Sequence, residues 1–278
     1  MNLKSRLLAT TVAMSAIPAA MFAQAPPGTG LTAKAAAPID LTGYWVSVVT
    51  EDWRYRMLTA PKGDYYSLPL TPEARKVADT WDAAKDVAQG KQCMAYGAPA
   101  VMRQPSRVHI GWDNDNALKV EIDAGKQTRL FAFGAPRPTS EPTLEGSSVA
   151  QWQSPQITRF YTSKISAQDP NTPGFRGQTP VGSAPPDTRK LGGTLKVVTT
   201  HLKPGYLRNN GVPYSANAVL TEYYDIHQDA GQEYLVITSI VEDPQYLYVP
   251  WVVSNQFRRE ADGSKWNPQP CELILSSK

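Results

Sequence analysis

Between Arg107 and Phe133 the chain alternates apolar and polar residues and reverses direction twice. Leu118, Val120 and Ile122 interleave with Lys119, Glu121 and Asp123, and the reversals fall at Asp113-Asn114-Asp115-Asn116 and at Asp123-Ala124-Gly125. A period of two marks a strand with one face in a core and the other in water. The pattern returns in Thr194–Leu202, Val219–His227, Tyr234–Glu242 and Leu247–Arg258, with a second Asp-Ala-Gly turn at Asp229-Ala230-Gly231. Glycine closes both turns, where the backbone needs positive φ. Gly43–Thr50 and Ser147–Gln153 read as two further strands. About nine or ten short strands in meander order predict a mainly β protein, an antiparallel sheet closed into a barrel, with a two-sheet sandwich as the rival. One N-terminal helix is signalled: Thr71 as its cap, Pro72 in its first position and Glu73 in its first turn predict a helix reaching about Lys85.

Composition narrows the class. The chain has 278 residues, of which 41% are hydrophobic, and its 28 Lys+Arg against 25 Asp+Glu leave a formal charge of +3. So small an excess excludes an electrostatic nucleic-acid binder. A mean hydropathy of −0.37 excludes a polytopic membrane protein. Met1–Arg6 is basic, Leu7–Ile17 is apolar and too short to span a bilayer, Pro18 breaks the run, and Ala23-Gln24-Ala25 has the small residues of a processing site. Residues 1–25 are therefore expected to be a signal peptide, cut after Ala23 or Ala25. Residues 26–38 read as a flexible leader and 39–278 as a single barrel domain. The destination is the periplasm or the medium, where Cys93 and Cys271 are expected to be bonded. Residues 154–190 carry Pro155, Pro170, Pro173, Pro180, Pro185 and Pro186 without periodicity and read as a long Pro-rich insertion.

Gly43-Tyr44-Trp45 opens the first strand, and a G-x-W at that place resembles the lipocalins. A wider resemblance, over residues 40–272, is to a set of uncharacterised secreted bacterial proteins with a lipocalin-like barrel. It rests on Cys93 with Gly97 and Pro99, on Gly146–Trp152, on Gly193–Thr200, on Thr221-Glu222 and on Glu242-Asp243-Pro244. Leu144 stands where that set has Trp, and the insertion 154–190 splits a hairpin that is continuous there. The resemblance implies a fold and an exported location, and no activity.

No G-x-S-x-G, H-E-x-x-H, Walker or C-x-x-C motif occurs. In a meander, His201 and His227 fall at opposite barrel ends, roughly 25 Å apart at 3.3 Å per residue, so a shared metal is not expected. No cofactor is expected either. One barrel end collects chemistry instead: His201, the loop 203–217 with Tyr206 and Arg208, Glu222 on the returning strand, and Asp243. Strand parity turns His201 and Glu222 inward, so the pair is the candidate acid–base couple. Tyr206, Arg208, Asp243 and Trp251 are the candidate ligand contacts. Arg129 faces in or out according to whether Gly125 forms a bulge. Two functions follow. One is an exported barrel that binds a small apolar or aromatic molecule. The other is a cofactor-independent acid–base enzyme (lyase, isomerase or hydratase) using Glu222 and His201.

Overall fold

The computed structural model describes residues 30–135, 141–153 and 192–273. The expected signal peptide and the insertion 154–190 lie outside these residues. The compact unit that holds the barrel begins at Thr32.

Nine strands form a closed barrel. They are β1 (Gly43–Val48), β2 (Arg107–Asn114), β3 (Ala117–Ile122), β4 (Gln127–Phe133), β5 (Ser147–Gln153), β6 (Thr194–Thr200), β9 (Val219–Asp229), β10 (Gln232–Glu242) and β11 (Trp251–Glu260), in the order β1-β11-β10-β9-β6-β5-β4-β3-β2. β7 (Gly205–Arg208) and β8 (Val212–Tyr214) make a separate hairpin inside the loop expected at 203–217. β1 closes the ring, with Trp45 opposite Val108 of β2 on one side and Arg259 of β11 on the other. The expected barrel is thus present, with one departure from a meander: β4 and β5 run parallel, Phe131 facing Ser148 and Phe133 facing Ala150. Alternation fixes which face a strand buries and leaves strand direction open, so this pairing carries no sequence signal.

Inward parity fills the barrel. Trp45, Ile110, Leu118, Phe131, Leu195, Tyr224 and Phe257 are almost entirely buried and belong to one apolar cluster. The Trp45 indole N–H donates to the Leu41 carbonyl at 3.0 Å, and the Arg259 guanidinium lies 4.2 Å from the centre of its ring. At the opposite rim, Trp112, Phe133 and Trp152 pack together. Ala33 and Lys34, within the expected leader, meet the barrel at this rim. The Ala33 N–H donates to Asn116 at 2.9 Å, the Lys34 N–H to the Asp115 carbonyl at 3.0 Å, and Trp152 Nε1 to the Ala33 carbonyl at 2.8 Å. The alanines of this stretch offer no periodicity, yet their peptide groups are what the barrel rim engages.

The other end, where β1, β6 and β10 finish, is capped by the segment between β1 and β2 and by the β7–β8 hairpin. The cap contains α1 (Trp53–Arg56), α2 (Pro72–Asp79), α3 (Ala83–Ala88), a 3₁₀ turn (Met94–Tyr96) and α4 (Ala98–Val101). The single helix expected to reach Lys85 is two. Thr71 caps α2, its hydroxyl accepting from the Ala74 N–H, as its sequence position predicts. α2 ends at Asp79, and Asp82 caps α3 by accepting from the Ala84 and Lys85 N–H groups. An Asp in the middle of the expected helix competes for backbone donors and starts a new one. The break brings Trp81 against Gly211, which has φ +80 and no room for a Cβ beside the indole. Cys93 and Cys271 are bonded, their Cα atoms 5.1 Å apart, tying the C-terminal segment to the cap. Among the described residues no helix is long and apolar enough to cross a membrane.

Candidate binding site at the capped end

The expected Glu222–His201 couple does not form. Glu222 is fully buried, as parity required, but His201 is exposed, with left-handed backbone at φ +58 just after β6 ends. Leaving the strand at Thr200 turns the imidazole away from the barrel, because parity holds only while the pleat continues. The partner of Glu222 is Arg129. Its Nη2 donates to Oε2 at 2.6 Å and its Nη1 to Oε1 at 3.1 Å, with both side chains at most 1% exposed. Arg129 faces Val120 across β3–β4, the inward register that the sequence left open. Its Nη2 also donates to Thr199, which shares a hydrogen bond with Ser148, and the Tyr224 hydroxyl donates to Glu222 at 3.3 Å. Burial works against the Arg129 charge, but Glu222 and Tyr224 outweigh it and hold the guanidinium above its ordinary pKa. A carboxylate locked in a fork-to-fork ion pair, with no imidazole on it, is a structural tie across the barrel.

The four candidate ligand contacts divide. Asp243 accepts from the Ser215 N–H at 2.6 Å, the Ser215 hydroxyl at 2.8 Å and the Gln245 N–H at 3.1 Å, so it organises two loops. The Tyr206 hydroxyl donates to Asp86 at 3.0 Å, and Trp81 Nε1 donates to the same carboxylate oxygen. Burial first, then Asp86, pushes the Tyr206 phenol well above its ordinary value. Arg208 and Trp251, by contrast, come together around a residue that the sequence did not single out. The Arg103 guanidinium stacks on Trp251 at 5.3 Å, and its charge also acts on Arg208 and on Arg56.

This arginine trio is the unusual feature of the cap. Arg56, Arg103 and Arg208 are 2%, 6% and 4% exposed. Arg103 has acidic company: Nη2 donates to Asp52 at 2.8 Å, and Glu51 lies 3.8 Å from Nη1. Arg208 donates to the Tyr66 carbonyl and to Ser67, both at 2.9 Å, and lies 4.1 Å over the Tyr55 ring. Arg56 donates through Nε to the Arg103 carbonyl at 3.0 Å, but its Nη1 and Nη2 are buried with no protein partner among the described residues. Arg103 Nη1, Arg208 Nε and the hydroxyls of Thr59 and Ser106 are likewise buried without a hydrogen bond. Burial lowers the pKa of both Arg56 and Arg208 to about 10, with the Arg103 charge adding to the effect in each.

A groove of about 480 Å³, within the range of small-molecule sites, opens at this end of the barrel, with Arg107, Asp123 and Glu272 among its lining residues. Apolar walls come from Val46, Met57, Tyr96, Pro105, Ala124 and Pro270. Met57 follows Arg56 in the chain and Gln104 follows Arg103, and both line the groove, as does Ser106. The far wall, Asn267 to Glu272, contains Cys271 and is held in place by the disulfide and by the Tyr96 hydroxyl, which donates to the Glu272 carbonyl at 2.8 Å. The bonded Cys93–Cys271 pair therefore shapes the groove.

Sequence reasoning missed Arg56 and Arg103. Both lie in stretches without periodicity, and nothing but tertiary packing buries them. Comparison with family models, with curated proteins and with solved structures finds no match for this chain.

Proposed function

We propose that the protein is a binding module that takes a small molecule at the capped end of the barrel, with the molecule's apolar or aromatic body in the groove between Met57 and Pro270. The observation that carries this reading is the groove itself. It is large enough for a small organic molecule, it has mostly apolar walls, and among its lining residues Ser106 carries a buried hydroxyl without a hydrogen-bond partner. The barrel behind it serves as a rigid scaffold, tied across its middle by Arg129 and Glu222. An exported location accords with the Cys93–Cys271 bond and with the basic, then apolar, N-terminus. So does the resemblance to secreted proteins with a lipocalin-like barrel. The acid–base alternative loses its support with the exposure of His201.

A thermal-shift screen of small aromatic and aliphatic compounds at millimolar concentration tests the reading, with Met57→Asp and Pro270→Asp as groove-blocking variants. A saturable rise in melting temperature for at least one compound, abolished in both variants, is expected. A rise that survives both variants places binding elsewhere and overturns the proposal, as does the absence of any saturable shift.

A further inference from the structure

We infer that a second site in the cap takes an organic ammonium group, the head of an alkylated amine, with the Asp86 carboxylate as its counter-ion and Trp81 and Tyr206 as its aromatic walls. The site shares no lining residue with the groove between Met57 and Pro270 and stands independently of the reading above.

Charge is the first argument. Asp86 lies in α3 and is 7% exposed. Its Oδ2 accepts from Trp81 Nε1 and from the Tyr206 hydroxyl, both at 3.0 Å, and both donors are neutral. A buried carboxylate normally meets a cation, because taking its charge out of water is costly. Among the described residues no cation pairs with Asp86. Lys85, the residue before it, has a side chain 74% exposed and lies 3.8 Å from Asp82. The second oxygen of Asp86, Oδ1, has no protein hydrogen bond among the described residues and, unlike the orphan nitrogens of Arg56, is not sealed from solvent.

Space is the second. A cavity of about 170 Å³ opens between α2, α3 and the β7–β8 hairpin, and Asp86, Trp81 and Tyr206 all line it. A protein cavity of about 150 Å³ holds a benzene-sized molecule, so this one has room for an ammonium with its methyl groups. Lys85 and Asp82 also line it and offset each other, which leaves the wall with one net negative charge, that of Asp86. The Trp81 N–H and the Tyr206 O–H are already engaged by Asp86, so what these two side chains still offer the cavity is ring surface. Aromatic rings attract weakly hydrated cations, Trp most of all, and quaternary and methylated ammonium groups are held in this way. A carboxylate can only accept, so an anion would find repulsion here. A tightly bound metal needs several ligating side chains, and no group of three occurs among the described residues.

Three probes test the inference. Trimethylammonium and tert-butanol are of similar size and differ in charge, and potassium is a cation without methyl groups. Each is titrated into the disulfide-bonded, isotope-labelled protein at constant ionic strength and followed by the Trp81 indole N–H and the amides of α3. Saturable shifts with trimethylammonium, at an affinity at least tenfold above that of tert-butanol or potassium, are expected. Asp86→Asn keeps the shape and removes the charge, and it should weaken binding at least tenfold while the far-ultraviolet circular dichroism keeps its strand signature. Should Asp86→Asn fail to fold, Val77→Lys supplies a tethered ammonium from the cavity wall with Asp86 in place, and it should abolish binding. Equal binding of trimethylammonium and tert-butanol overturns the inference, as does potassium binding as tightly as trimethylammonium. No saturable shift, or binding unchanged in the folded variants, overturns it as well. None of these outcomes bears on the groove between Met57 and Pro270.

Discussion

Replacing Glu222 by Gln tests the barrel's interior, because it keeps size and shape and removes one charge of a buried pair. In the native protein both oxygens of Glu222 take a guanidinium nitrogen, at 3.1 and 2.6 Å, and neither side chain is more than 1% exposed. Glu222→Gln leaves the Arg129 cation facing a neutral amide, with the Thr199 and Tyr224 hydroxyls as its remaining neutral neighbours. Removing one partner of a buried ion pair costs about 3–5 kcal/mol, and the retained amide oxygen places this change near the lower end. At roughly 2–4 °C per kcal/mol for a domain of this size, the melting temperature should fall by about 6–12 °C. Urea denaturation followed by circular dichroism measures the free energy directly. The double variant Arg129→Met, Glu222→Leu removes both charges and fills the space with carbon. It should recover most of the loss, to within about 1 kcal/mol of the native protein. A loss below about 1 kcal/mol for Glu222→Gln, or a double variant as unstable as the sum of the single ones, would refute the claim that the pair is dry and mutually dependent.

Three further outcomes are expected. Cys271→Ser opens a covalent loop with a sequence separation of 178 and should lower stability by about 2–5 kcal/mol in denaturant unfolding; because its neighbours Pro270 and Glu272 line the groove, ligand affinity should fall as well. Gly211→Ala places a Cβ within 2.4 Å of three Trp81 atoms at a backbone φ of +80, so overpacking and left-handed strain together should cost about 2–4 kcal/mol, read as a lower urea midpoint. Burial, and then the hydrogen bond to Asp79, raise the Tyr65 phenol to about 12 from its ordinary 10.0. The folded state therefore keeps a proton that the unfolded chain releases. Stability should fall as pH rises through this window, Tyr65→Phe should flatten part of the fall, and a stability that rises across it would contradict the sign.

The sequence carried the barrel better than it carried the site, for a physical reason. Strand alternation is a local record of which side chains meet the core, and it correctly turned Glu222 and Leu220 inward and set Trp45 on the strand that closes the ring. Chain direction between β4 and β5 leaves no such record, so their parallel pairing was invisible. Parity also fails one residue past a strand's end. His201 follows Thr200, adopts positive φ and swings outward, and the pair that strand parity implied is lost there. Arg129 depended on the turn Asp123–Lys126. Once that turn closes with Ile122 opposite Gln127, Val120 faces Arg129, and the guanidinium has to find Glu222. The arginine trio is harder still. Arg56 ends a four-residue helix and Arg103 lies between α4 and β2, so neither has a pattern to betray its burial. Of the residues chosen from sequence, Arg208 and Trp251 reach the cluster. Asp243 and Tyr206 hold loops and the cap through Ser215 and Asp86.

Binding is assigned to the capped end, in the groove between Met57 and Pro270. Amide chemical-shift mapping of the isotope-labelled protein during titration with a compound that raises its melting temperature tests it most directly. Shifts concentrated at Met57, Gln104–Arg107, Ala124 and Gln269–Glu272 are the expected result. Shifts concentrated instead on Trp112, Phe133 and Trp152 at the opposite rim, or no saturable shift at all, would contradict it.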